Sequence, residues 1–129
     1  MKPIQQSVTL PAKAAALFRT FLDAKAHAAV VGSKVSISAR EGAKWKAFDG
    51  MILGKNLRIV PGRLIVQAWR SSAWKKGDAD SILVLAFTDT PKGGRIDLTH
   101  VNVPAHDHRG VTEGWKKYYW RPWKKQLAG

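Results

Sequence analysis

Residues 48–70 read FDGMILGKNLRIVPGRLIVQAWR, and their periodicity decides the fold. On both sides of Pro61-Gly62 apolar residues recur every second position, which predicts two strands, Met51–Val60 and Arg63–Arg70. Pro61 presets the first φ of a type II turn and Gly62 accepts the positive second one, so the two strands form a hairpin. Outward from it the same period continues, giving further strands at Lys34–Arg40, Ala43–Phe48, Ser81–Thr88 and Arg95–Val103. The separators EG, DG and TPKGG are turn material, and links this short make an antiparallel meander.

The flanks change period. IQQSVTL, with Ile4, Gln6, Val8 and Leu10 on one side, predicts a first strand. After Pro11, residues Ala14, Leu17, Phe18 and Phe21 recur at helical spacing, and AKAHAAVVG predicts a second short helix closing near Gly32. Beyond Pro104 the pattern is helical again. On a 100° wheel Val111, Trp115, Tyr118 and Pro122 share a stripe, with His108 and Tyr119 at its edge. Pro122 is expected to kink or end this helix near Arg121. Lys116, Lys117, Lys124 and Lys125 fall on a solvated face. Trp120 and Trp123 lie off the stripe, as exposed aromatics of an interaction surface would. The expected architecture is α+β: a seven-stranded antiparallel sheet, two short helices after the first strand and a long C-terminal helix, in one domain over 1–129.

The 48–70 stretch, the loop of Trp74, Gly77 and Ser81, and GWKKYYW at 114–120 together resemble a known family pattern. It runs Asp-Gly, Gly, Leu-x-x-Val-Pro, Ile-Val-x-x-Trp-Arg, Trp, Gly-Trp-x-x-Tyr-Tyr, and the match spans essentially the whole chain in element order. Proteins with this pattern are similar to the C-terminal domain of the heat-shock protein 90 ATPase activator, within the START-like, birch-pollen-allergen-like helix-grip superfamily. The resemblance implies a curved sheet wrapped around the C-terminal helix, with an apolar cavity between them. It also implies a chaperone ATPase as a partner, although the eukaryotic activator makes its principal chaperone contacts through a separate N-terminal domain for which 129 residues leave no room. Where the family often has Trp-Pro-Glu-Gly, this chain has WKKG at 74–77, a basic loop in place of an acidic one.

Twenty-two Lys and Arg against nine Asp and Glu give a net charge of +13, which favours acidic partners and says nothing about fold. Without cysteine there is no disulfide, thiolate nucleophile or Cys metal site. No signal-like or membrane-spanning apolar run occurs, so a cytoplasmic protein is expected.

Strand parity assigns the inward face: Trp45 and Ala47; Ile65, Gln67 and Trp69; Leu83, Leu85 and Phe87; Ile96, Leu98 and His100. Gln67 and His100 are the polar exceptions. They orient a ligand in an apolar pocket, or they are buried groups bonded to their neighbours. The expected pocket is Trp45, Gln67, Trp69, Phe87, His100, Trp115 and Tyr118, for a small apolar or amphipathic molecule. Catalysis finds little support, because Asp97 has the opposite parity from His100 and Asp49 precedes a turn glycine. His106 and His108 diverge by about 200° on a helix and do not chelate, so no metal is expected, and no cofactor. GMILGKN at 50–56 has the wrong glycine spacing for a phosphate loop and lacks its Ser or Thr. Nucleic acid remains open, through Lys75, Lys76, Lys116, Lys117, Arg121, Lys124 and Lys125, with Trp74, Trp120 and Trp123 as stacking platforms. So does self-association through Trp120 and Trp123. A membrane surface is not expected, since the tail intermixes Lys and Trp around the helix.

Overall fold

The structure, a computed structural model, describes residues 2–129. In chain order its elements are β1 (Ile4–Leu10), α1 (Ala14–Leu22), α2 (Ala24–Val31), β2 (Lys44–Ala47), β3 (Ile52–Val60), β4 (Leu64–Ser71), β5 (Ser81–Thr90) and β6 (Gly93–Val101). The C-terminal helix follows as α3 (His108–Trp115), one π-helical turn (Lys116–Trp120) and α4 (Arg121–Ala128). All strand pairings are antiparallel, in the order β1-β6-β5-β4-β3-β2.

The β3–β4 hairpin closes as its sequence requires. Gly62 has φ 74° and the Arg63 amide donates to the Val60 carbonyl at 2.9 Å. The expected inward positions are buried without exception from Trp45 to His100. On that side Phe18, Phe21 and Leu17 of α1 and Trp115 and Trp123 of the last helix complete the core. The N-terminus of α1 is capped from a distance. Lys13 offers no capping side chain, and Asp89 of β5 accepts from the Ala14 amide instead, at 2.8 Å.

Three expectations are corrected. The sheet has six strands, since Lys34–Arg40 forms none; only Ser36 bridges to Lys46. The reason is Asn56, fully buried beside a bulge between Asn56 and Arg58. Its Nδ2 donates to the carbonyls of Ser38 (2.8 Å) and Arg40 (3.0 Å), so a side chain holds the segment that a ladder was expected to hold. The helix also does not end at Pro122. The π turn precedes it, with the Arg121 amide donating to the Lys116 carbonyl five residues back. Such a widened turn gives the proline ring room and rotates each residue less than the 100° of an α-helix.

That rotation moves the aromatic stripe. Tyr119, Trp120 and Trp123 are buried, and Tyr118 is 48% exposed. Trp120 donates from Nε1 to Gln6 Oε1 (2.7 Å), and Gln6 Nε2 donates to the Thr112 carbonyl (2.9 Å), tying β1 to the helix. Trp123 lies nearly parallel to Trp120, with centroids 6.5 Å apart. Neither tryptophan is an exposed contact residue.

Candidate functional site

The pocket residues divide among separate places. Trp69, Trp115 and Tyr118 border a groove of about 520 Å³ between the C-terminal helix and the β3–β4 end of the sheet. Gln67, Phe87 and His100 lie apart from it in the interior, and Trp45, also buried, borders a separate depression at the β2 edge.

Most of the interior polar atoms bond one another, the exceptions being Trp45 Nε1 and Gln67 Oε1, which are buried without a protein partner among the described residues. Indole N–H only donates, so the 3.1 Å contact from Trp115 Nε1 makes His100 Nδ1 an acceptor. His100 Nε2–H then donates to Ser81 Oγ at 2.8 Å, and Ser81 donates to the Trp69 carbonyl at 2.7 Å. Ser81 and His100 have the spacing of a nucleophile and its base, but this tautomer is the wrong one, because the nitrogen facing the hydroxyl already carries the proton. Burial pushes the His100 pKa down to about 3, with a smaller contribution from His108. Gln67 donates to Asn56 Oδ1 at 2.9 Å, completing a row across four strands of His100, Leu83, Gln67 and Asn56.

A second histidine is held the same way. His27 donates from Nδ1 to the Phe21 carbonyl and accepts from the Tyr119 hydroxyl at Nε2, both at 2.7 Å. Burial lowers the His27 pKa to about 4 and raises that of Tyr119, so both stay neutral.

The groove has a floor of Trp69 and Trp115 and a wall of Phe48, Met51 and Ile52. Phe48 and Asp49 both adopt left-handed backbone (φ 52° and 55°), uncommon for non-glycine residues and enriched where a site demands it. The strain aims the Phe48 ring at Tyr118 and Tyr119, each 5.8 Å away, edge to face. The opposite wall is the helix, and it is open because Gly110 and Gly114 face the groove one turn apart. A methyl group at Gly110 would lie 2.7 Å from Asp107 Oδ1, whereas one at Gly114 would meet only Tyr118 Cδ2, at 3.7 Å. Gly114 therefore weakens the helix by about 1 kcal/mol against alanine with no packing reason, and leaves the groove wide. At the mouth, Trp74 donates to Asp107 Oδ2 (2.7 Å) and packs beside Trp69, closing loop 72–80 against the helix start. Two of the exposed large apolar side chains, Met51 (60%) and Tyr118, stand on the rim.

Sequence reasoning missed Phe48, Met51, Gly110 and Gly114 as lining, and Ser81 and Asn56 as partners of the buried polar pair. Two glycines four apart inside a helical pattern were the available signal. His106 and His108 do diverge, to Asp78 Oδ2 (2.8 Å) and the Lys2 carbonyl (2.7 Å). Among the described residues no group of three His, Cys, Asp or Glu could hold a metal.

A six-stranded antiparallel sheet curved about a C-terminal helix, with a groove where they part, defines a helix-grip protein. Within that class, the family model described as "Activator of Hsp90 ATPase homolog 1-like protein" matches residues 11–126, and the chain belongs to this family. The human "Activator of 90 kDa heat shock protein ATPase homolog 1" is 27% identical over 112 residues, covering 87% of this chain and 33% of that protein. An uncharacterized protein of Schizosaccharomyces pombe is 29% identical over 121 residues, covering 94% of this chain and 36% of that one. The chain thus spans about a third of the length of these curated relatives. Among solved structures, an HSP90 activator from Plasmodium falciparum superposes with a TM-score of 0.88 at 23% identity, covering 99% and 97% of the two chains. The Aha1 dimer of Colwellia psychrerythraea gives 0.82 at 11% identity, covering 98% and 96%.

Proposed function

We propose that the chain is a non-catalytic binding protein, one domain over 1–129, whose groove takes up a small apolar or amphipathic molecule. The observation that supports this is Gly114: a helix-weakening residue whose only structural consequence is to keep the groove open. The volume of about 520 Å³ lies in the range of small-molecule sites, and its aromatic floor supplies the apolar surface whose burial drives binding. In this reading Trp69, Trp115 and Tyr118, which border the groove, contact the bound molecule. Gln67 and His100, already bonded inside, act as structural supports beneath the floor.

The test is 1:1 binding of environment-sensitive apolar dyes, followed by fluorescence and native mass spectrometry. Wild type is expected to bind and Gly114→Leu, which fills the groove from the helix side, to lose about tenfold or more in affinity. Equal dye binding by both proteins, or none by the wild type, sinks the reading.

A second reading, action on a chaperone ATPase, is favoured by the family and by the exposed Met51 and Tyr118 at the rim. Stimulation of a heat-shock protein 90 ATPase that is lost in Tyr118→Ala combined with Met51→Ser supports it. An ATPase rate unmoved by the wild-type chain rules it out.

A further inference from the structure

The outer face of the sheet, turned away from the helix, is not used by the groove. Across it the registers place Lys44 opposite Lys55, then Ala68, Ile82 and Val101 in one row. In the next row Arg58 faces Val66, Val84 and Thr99. Like charges directly opposite each other on antiparallel strands destabilise the pair. Lys34, Lys44, Lys46 and Lys55 are all exposed, and none takes part in the ion pairs of the described residues. Three of them, with the Ser36 hydroxyl, line a depression of about 450 Å³ at the β2 edge, where Asp49 is the acid present. Beside this cationic end the face is apolar, and Val66, Ala68, Ile82 and Val84 are half-buried side chains on its outside.

From this arrangement we infer that the outer face of β2–β5 is a docking surface for an acidic segment of a protein partner. Carboxylates of the partner lie along Lys34, Lys44, Lys46 and Lys55, and its apolar side chains lie on Val66, Ile82 and Val84. Charge complementarity selects the sign of the occupant. The apolar rows favour a protein over a nucleic acid: phosphates gain nothing from Val66, Ile82 and Val84, and the stacking that single strands use finds no exposed tryptophan, all six being buried. A second copy of this chain, also at +13, would bring cations to cations. Lys44 and Lys46 stand two residues apart on one strand face, about 7 Å, the repeat of alternate carboxylates on an extended peptide. The surface stands whether or not the groove takes a ligand.

The experiment compares three labelled probes of equal negative charge by fluorescence anisotropy: a peptide alternating Glu with Val, one alternating Glu with Ser, and a single-stranded oligonucleotide. The Glu/Val peptide is expected to bind best, with affinity falling as salt rises. Lys44→Gln with Lys55→Gln is expected to weaken it about fivefold or more, while Lys124→Gln with Lys125→Gln on the distant helix face changes it less than about twofold. Because the first double variant relieves repulsion, its melting temperature should not fall. Ile82→Ser, used if it melts as wild type, should erase the preference for Val over Ser; Val84→Thr serves if it does not. Equal losses in both lysine pairs, tighter binding of the oligonucleotide, or no peptide binding at low salt overturns the inference.

Discussion

Trp115 has one polar atom and it can only donate, and from that follows the behaviour of His100 in acid. Protonating His100 at Nδ1 breaks its bond to the indole, whereas protonating His27 at Nε2 reverses its bond to Tyr119, whose hydroxyl then accepts, and leaves a buried cation. Both rings have folded pKa values below the usual 6.5, at about 3 and about 4, because burial disfavours their cations. The unfolded chain therefore binds protons first as pH falls. Their stabilising contribution is complete above about pH 6.5 and is lost progressively below it, at about 1.4 kcal/mol per pH unit for each ring, until each folded pKa is reached. Urea unfolding followed from about pH 7.5 to 4.5 is expected to show proton uptake on unfolding rising from near zero to close to two around pH 5, and in His100→Gln to about one. A flat profile would mean that the rings are not buried as neutral species. At the same scale, Tyr119→Phe leaves His27 Nε2 without its donor and should cost about 1–3 kcal/mol. Denaturant midpoints of the two proteins at neutral pH check this.

The π turn is the element on which reading the sequence and reading the structure part ways. A constant 100° step places Tyr118 on the buried stripe and Trp120 and Trp123 off it; the wider turn before Pro122 reverses all three. Tyr119→Ala and Trp123→Ala should each cost about 3–5 kcal/mol, as buried aromatics do, and Tyr118→Ala less than about 1, by chemical denaturation. If Tyr118→Ala is the costly one, the helix turns without a π step. Proline gave warning that the backbone bond there is missing, but nothing in the side-chain pattern says whether a helix answers by kinking or by widening. Strands were more legible, because parity along a ladder accumulates no angular error, and Trp45 through His100 fall inside as their alternation requires. The strand assigned to 34–40 failed for a different reason: alternation records burial, and a segment held by Asn56 buries Val35 without a ladder. Gly54 also belongs to this scale, since a methyl group there would meet the Ala68 carbonyl oxygen at 1.9 Å and Trp45 Cζ2 at 2.8 Å. Gly54→Ala must spread β3 from β4 or displace the indole, costing about 1–3 kcal/mol or more, with the Trp fluorescence changed in the folded state.

At the scale of the molecule, the curved sheet and the last helix part beside Gly110 and Gly114, so the groove is a departure from close packing and not an outcome of it. Its parts come from the β2–β3 turn, β4 and the last helix, distant in sequence, which is why periodicity gave the interior and missed the rim. A helix interior gains from alanine over glycine, and the space beside Gly114 accepts a methyl group in ordinary contact with Tyr118. Gly114→Ala is therefore expected to raise stability by about 0.5–1 kcal/mol, an increase in midpoint readable by thermal or urea unfolding. The same methyl group narrows the groove, so dye affinity should fall as stability rises. Opposite movement of the two quantities identifies a residue kept for binding at the expense of the fold. Were Gly114→Ala instead destabilising, the wall would be under packing constraint, and glycine there would need no ligand to account for it.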